Sequence, residues 1–259
     1  MAATPPSPSA PAPVLRACLM EARCEVLRIL RTPSFALPTL LFPPLFYVLF
    51  GIVLASKGGA RPEVATYLLA TYGVFGVMGV GLFGFGVNVA IDRQRGLLTL
   101  KRALPMPAGA YVFAKMAAAM LFAAICSLTL ALLGATLGHV ELTPLQWLGL
   151  FAVDVLGVLP FCAIGLYVGM RVGGDGAPAV VNLIYLPMAF LSGLWVPLTM
   201  LPAILGTLAP AWPAYHLAQL ALKVVGHDDG RGSLLHLAVL LGFAAVAMLL
   251  ARRRLRTSA

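Results

Sequence analysis

From Met116 to Leu137 the chain runs for 22 residues without a charged side chain. Such a run restricts the fold severely. About 20 apolar residues in a helix cross the hydrocarbon of a bilayer, and a helix satisfies its backbone groups where water is absent. Five more stretches read the same way, at about Phe35–Ala55, Val64–Ile91, Leu145–Met170, Ala177–Leu194 and Leu234–Ala251. Across all six, Asp154 is the only acid or base of the Asp, Glu, Lys and Arg set. Charged residues make up 10% of the 259, against roughly 25% in a soluble domain. That is too little polar surface to cover a water-soluble core. A soluble enzyme, a disordered chain and a disulfide scaffold are therefore excluded. The expected fold class is all-α integral membrane, with six transmembrane helices.

The segments before the first span differ in kind. Residues 1–13 are dominated by Pro, Ala and Ser and cannot bury apolar area, so a disordered tail is expected. No apolar run follows them at once, so no cleavable leader is expected. Residues 14–31 carry Leu15, Cys18, Leu19, Ala22, Val26, Ile29 and Leu30 on one helical arc. Arg16, Glu21, Arg23, Glu25, Arg28 and Arg31 fill the rest, the pattern of an amphipathic helix lying in the membrane interface. Packing on a soluble partner fits the same stripe. Residues 32–259 form the six-span unit. Pro38, Pro43 and Pro44 in its first span require a kinked first half covered by protein.

The net charge of +9 gains its meaning from its placement. Arg16, Arg23, Arg28, Arg31, Arg93, Arg95, Lys101, Arg102, Lys115, Arg171, Arg252, Arg253, Arg254 and Arg256 fall on one side of the six-span arrangement. Lys57, Arg61, Lys223 and Arg231 fall on the other. This bias puts both termini in the cytoplasm and makes membrane lipids, with no nucleic acid, the expected partners. Trp147, Trp195 and Trp212 lie at or beyond the outer ends of spans, as an interfacial belt would. Fourteen arginines against four lysines point to a GC-rich bacterial genome, and the expected location is a bacterial inner membrane.

Val196–Leu217 is apolar and nearly long enough to cross, yet it holds Pro197, Pro202, Pro210 and Pro213. A crossing there would carry Arg252–Arg254 outside. A re-entrant hairpin between spans 5 and 6, dipping into the outer leaflet and returning, fits both facts and belongs at the mouth of a pathway.

No phosphate-binding GxxxxGK[ST] loop, HExxH, GxSxG or nucleophile beside a base occurs, so catalysis is not expected in this chain. Cys18, Cys24, Cys126 and Cys162 are scattered. His139, His216, His227 and His236 are far apart and not at ligand spacing, so no metal site is expected. Asp154, deep in span 4, reads either as a pathway residue or as half of an internal hydrogen bond, with Asn182 on span 5 as a partner. Gly73, Gly76 and Gly84 share one face of span 2, and Gly79 and Gly86 another, which allows close helix approach on both.

The loop from Asp92 to Lys115 carries the strongest motif. Asp92, Arg93, Gln94, Arg95 and Gly96 are followed by Leu98, then by Pro105, Met106 and Pro107, and by Tyr111 and Lys115. A short charged helix between a glycine turn and two prolines suits docking of another protein. A second pattern holds Phe190, Leu191, Ser192, Gly193, Pro197, Pro202, Pro210, Trp212, Pro213, Ala214, Tyr215 and His216. Together these resemble the cytoplasmic loop and outer hairpin of ABC-type export permeases of the type-2 exporter class, which includes drug and polysaccharide exporters. Gln94, Leu97 and Leu104 depart from the loop's usual acidic and threonine positions. The resemblance implies that residues 92–107 are a coupling helix docked on a separate ATP-binding-cassette subunit. That partner would bind ATP and Mg, with no cofactor in this chain, and two permeases, a homodimer, would pair with two ATPases. The exported substrate would be a drug-like, lipid-linked or polysaccharide molecule. The rival readings are an ion-coupled secondary transporter and an intramembrane enzyme.

Overall fold

The computed structural model describes residues 14–54, 62–103 and 109–257. The expected tail at 1–13, and the loop positions Lys57, Arg61, Pro105 and Pro107, lie outside that set. Every regular element among the described residues is helical.

Helix α1 covers Val14–Leu30. Helix α2 (Pro33–Phe46) opens with proline in its first turn and continues as a π-helical stretch, Tyr47–Leu54. Pro43 and Pro44 lack the N–H groups that would bond the Thr39 and Leu40 carbonyls, and both prolines are buried. The next rod is built from α3 (Pro62–Gly81), a π-helical turn at Leu82–Val87 and α4 (Asn88–Gln94). Its 32 apolar-rich residues from Glu63 to Gln94 reach about 48 Å at 1.5 Å per residue, well beyond the ~30 Å hydrocarbon core. Helix α5 is Leu97–Ala103, α6 is Ala110–Thr136, α7 is Pro144–Gly169 and α8 is Ala177–Leu191. Beyond them lie α9 (Ala203–Leu208), α10 (Pro213–Val224) and α11 (Ser233–Thr257).

Each expected span holds a helix, and among the described residues five helices are long and apolar enough to cross a membrane: Leu37–Leu54, Glu63–Gln94, Ala110–Thr136, Pro144–Gly169 and Ser233–Ala251. The expected fifth span is α8, whose 15 residues reach about 22 Å. Its end is set by Gly193 at φ +72°. The Gly193 amide donates to the Phe190 carbonyl and the Leu194 amide to Ala189, a helix stop that a left-handed glycine permits.

Span 2 is the hub. In its apolar stretch 78% of the residues are buried, against 22% in the first and last spans. Its glycines let neighbours approach. A Cβ built on Gly73 would fall 2.8 Å from the Asp154 carboxylate, one on Gly76 2.9 Å from Pro43, one on Gly79 3.0 Å from the Tyr185 hydroxyl and one on Gly81 2.7 Å from Phe161. A Cβ on Gly165 of α7 would fall 2.9 Å from the Gly81 carbonyl, so spans 2 and 4 touch backbone to backbone. Gly84 faces open space.

Two elements differ from expectation. Helix α6 begins at Ala110, six residues ahead of the expected Met116, because Ala110, Ala114 and even Lys115 are buried. The proline-rich stretch after span 5 breaks into short turns but then forms α10, which runs past Leu217 to Val224. Pro213 presets its first turn. Ala214, Leu217, Ala218, Ala221 and Leu222, all buried, repeat at i, i+3, i+4, i+7 and i+8, the core stripe of a packed helix.

Candidate functional site

Asp92 leaves the end of α4 almost completely buried, at 1% exposure. A carboxylate in that position requires partners, and they come from two other helices. Arg28 of α1 donates to Asp92 Oδ1 at 2.6 Å. The Tyr111 hydroxyl of α6 donates to Oδ2 at 2.7 Å, and Lys115 Nζ lies 3.3 Å from the same oxygen. Arg28 also pairs with Glu25 at 2.8 Å, and Lys115 pairs with Glu25. Two acids and two bases thus alternate around one knot, with the Lys101 and Lys115 ammoniums over the Tyr111 ring at 4.7 and 5.1 Å. Lys101 of α5 bonds Glu21 of α1. Burial works against the charged Arg28 guanidinium, but the Glu25 and Asp92 carboxylates overcome it and hold its pKa above the ordinary value.

Asp92 thus pairs with Arg28, Tyr111 and Lys115 of its own chain. Helix α1 turns Glu25 and Ile29 inward, while Leu19 and Leu30 of its apolar stripe, with Met20 and Leu27 beside them, stay 38–57% exposed. The reason is the buried Lys115: a lone ammonium at 2% exposure needs a carboxylate more than the bundle needs another leucine.

Arg93 and Gln94 point the other way. Arg93 donates to the carbonyls of Met170 and, at 2.8 Å, Val172. The Gln94 amide donates to Asp175 at 3.0 Å and accepts from the Gly174 amide N–H at 2.6 Å. An acidic residue at 94 could not donate to Asp175, so glutamine here is fitted to the turn between spans 4 and 5. The loop is therefore fastened to α1 and α6 on one side and to residues 170–175 on the other. Gly96 turns the chain at φ +71°, Leu98 packs partly inward, and Arg95, Thr99 and Leu100 are exposed.

Asp154 does not meet Asn182. Ser127 of α6 donates to its Oδ2 at 2.7 Å, while Oδ1 has no hydrogen-bond partner. Asp154, Ser127, Trp147 and Phe151 line a cavity of about 280 Å³ between α6 and α7. Asn182 instead lines a separate cavity of about 440 Å³ with Phe46, Phe75, Phe83, Tyr185 and Trp195. The rings there stack, Phe75 on Tyr185 at 4.9 Å and Phe46 on Trp195 at 6.0 Å. Trp195 is thus part of an inner aromatic wall, a contact its position at a span end did not reveal.

In the outer segment Ser192 is buried. Pro197 and Pro202 precede the short turns at Leu198–Met200 and Ala203–Leu208, and Trp212 precedes α10. Tyr215 donates to Asp229 at 2.6 Å.

A family model described as ABC-2 type transporter matches residues 17–225, a stretch that holds the Asp92 knot, both cavities and all but the last crossing helix. The chain belongs to the ABC-2 type transporter family. The ABC-2 match reaches from α1 through α10, so the N-terminal helix and the outer segment are part of the family's shared body. A relative named "Putative transport permease YvfS" from Bacillus subtilis (strain 168) is 27% identical over 229 residues, 88% of this chain and 92% of that protein. This ABC-2 chain is accordingly a transport permease and a multi-pass membrane protein. The membership favours the ABC permease over the secondary transporter and the intramembrane enzyme.

Proposed function

We propose that this permease is the membrane half of an ATP-driven exporter, and that residues 92–107 dock on a separate ATP-binding-cassette subunit. The observation that carries this reading is the double fastening of the loop. Asp92 ties it to α1 and α6, Arg93 and Gln94 tie it to the 170–175 turn, and Arg95, Thr99 and Leu100 remain exposed for a partner. A push on that face reaches spans 2, 3 and 4 together. ATP and Mg belong to the partner, and this chain contributes no cofactor.

Two copies complete the pathway in this reading, since the exposed apolar face of span 1 (Leu37, Leu41, Leu45, Leu49) is free for a second permease. The aromatic cavity at Asn182 suits stacking of a drug-like ring, a sugar or a lipid-linked group, and Asp154 adds a polar contact in the bundle. Helix α1 rests at the cytoplasmic lipid surface of a bacterial inner membrane with Leu19, Met20, Leu27 and Leu30 in the acyl boundary. The chain crosses six times with both termini cytoplasmic, and residues 196–212 form the re-entrant outer hairpin.

Copurification with an ATP-binding-cassette ATPase tests this function. Leu100→Asp should release that ATPase while the permease stays in the membrane. Retained assembly, with substrate-stimulated ATP turnover intact, would count against docking at this loop. Reporter fusions after Leu100 and at the C-terminus should read cytoplasmic, and one after His227 external.

A further inference from the structure

Two histidines 20 residues apart in sequence meet inside the outer end of the bundle. His216 of α10 and His236 of α11 are 3% and 1% exposed, and their Nδ1 atoms lie 2.9 Å apart. His216 Nε2 lies 2.9 Å from the Pro210 carbonyl. His236 Nε2 lies 3.4 Å from Asp229 Oδ1, near enough for charge pairing but without a hydrogen bond.

These contacts favour one proton count. A carbonyl only accepts, so His216 Nε2 carries a hydrogen. Two bare Nδ1 lone pairs, or two N–H groups, would repel at 2.9 Å, so one hydrogen lies between the rings. A bare His236 Nε2 would face a carboxylate, lone pair against negative charge, so that nitrogen also carries a hydrogen. Four ring nitrogens thus share three protons, one more than two neutral imidazoles hold. The Asp229 carboxylate balances the charge. It also accepts from the Tyr215 hydroxyl at 2.6 Å and from the Arg231 amide at 3.0 Å.

We propose that His216 and His236 bind one proton between them, and that this protonated pair latches α10 to the last span. The latch has two limits. Raising the pH removes the shared charge and leaves a lone pair against either Asp229 or the other ring. Lowering it far enough adds a second proton, and two N–H groups then face each other. The latch therefore holds over an intermediate window, read from the compartment that Asp229 faces.

The surroundings are specific. Tyr215 on α10 packs against both rings, Asp229 and Arg231 on the loop act on His216, and Tyr67 from span 2 acts on Tyr215; Lys223 of α10 pairs with Asp228 at 3.0 Å. The acid of α7, which packs on both helices, is Asp154, and it is bonded to Ser127. Burial, with His236 and Arg231 nearby, holds the His216 pKa below its ordinary value. Asp229, at 20% side-chain exposure, is the route by which a proton reaches the buried rings.

Ring-nitrogen ¹⁵N NMR of histidine-labelled full-length permease in lipid tests the latch. The chain has four histidines, and His139→Asn with His227→Gln removes the other two signals. At neutral pH the remaining pair should show one cationic and one neutral ring, passing to two neutral rings as pH rises. Asp229→Asn leaves both rings in place and should lower the pH of that transition by about one unit, the scale of a removed neighbouring charge. Two neutral rings at neutral pH, or two cations titrating independently, would overturn the proposal. So would an Asp229→Asn profile identical to that of the unaltered protein.

Discussion

Glu25 and Lys115, 90 residues apart, form an ion pair in which the side chains are 4% and 1% exposed. The contact joins the N-terminal helix to span 3, and Arg28 extends it to Asp92 on span 2. Removing one partner leaves the other charge buried, at a cost of about 3–5 kcal/mol. Lys115→Met should therefore lower the unfolding midpoint and the yield of folded permease. Combining it with Glu25→Leu should recover part of the loss, a coupling of about 1 kcal/mol or more in a double-mutant cycle. Additive losses would show that the pair is not coupled.

Gly165→Val should prevent close approach of spans 2 and 4. The added Cβ meets the Gly81 carbonyl at 2.9 Å and the Gly86 amide at 3.0 Å, and backbone cannot swing aside. Overpacking of this kind costs about 1–3 kcal/mol or more. Gly84→Ala, with nothing within 4 Å of its Cβ, should be tolerated. Thermal unfolding in detergent compares the two, and equal midpoints would refute the packing argument.

Asp154→Asn retains an acceptor for the Ser127 hydroxyl and should insert and fold normally. Export should fall while protein level holds, if the carboxylate serves the pathway. Loss of the protein itself would assign Asp154 a structural role only. Ser127→Ala leaves the buried carboxylate without its hydrogen bond and should cost stability, about 1–3 kcal/mol.

Gly96 turns the chain into α5 with φ +71°, a region that asparagine tolerates and a β-branched residue does not. Gly96→Val should uncouple ATP turnover from substrate with membrane insertion intact, and Gly96→Asn should keep part of the coupling. Full export from a stable Gly96→Val protein would remove the coupling role from this loop.

Acid should loosen the loop after α10. Burial alone would raise the Asp229 pKa, but the Tyr215 hydroxyl, the Arg231 amide and the charges of His236 and Arg231 bring it below the ordinary carboxylate value. A depressed acid stabilises the folded state fully above its unfolded pKa, and that stability is lost as pH falls through the folded pKa. The unfolding midpoint should thus drop on acidification below the usual carboxylate range. Asp229→Asn should flatten that limb, and an unchanged limb would assign the acid sensitivity elsewhere.

The apolar runs by themselves determined that this chain is a helical membrane protein, because a 22-residue stretch without charge has no other stable placement. The run of residues from Asp92 to Gly96 likewise marked the loop, since its charges, glycine turn and spacing are local properties. Gly193 was visible too, although the early stop of α8 at Leu191 depends on the bonds its left-handed turn closes. Three things were decided by tertiary structure alone. Asp92 found Arg28, Tyr111 and Lys115 instead of its sequence neighbours, because a buried carboxylate takes whichever cations the packed helices bring to it. Asp154 and Asn182 were assigned to separate cavities, because helix rotation, not depth along the span, sets which side chains face each other. His216 and His236 looked like unrelated boundary residues, and they share a proton only because α10 folds back against the last span and brings two ring nitrogens within 2.9 Å. Periodicity fixes which side chains share a face of one helix, and no local pattern records which faces of two distant helices will meet.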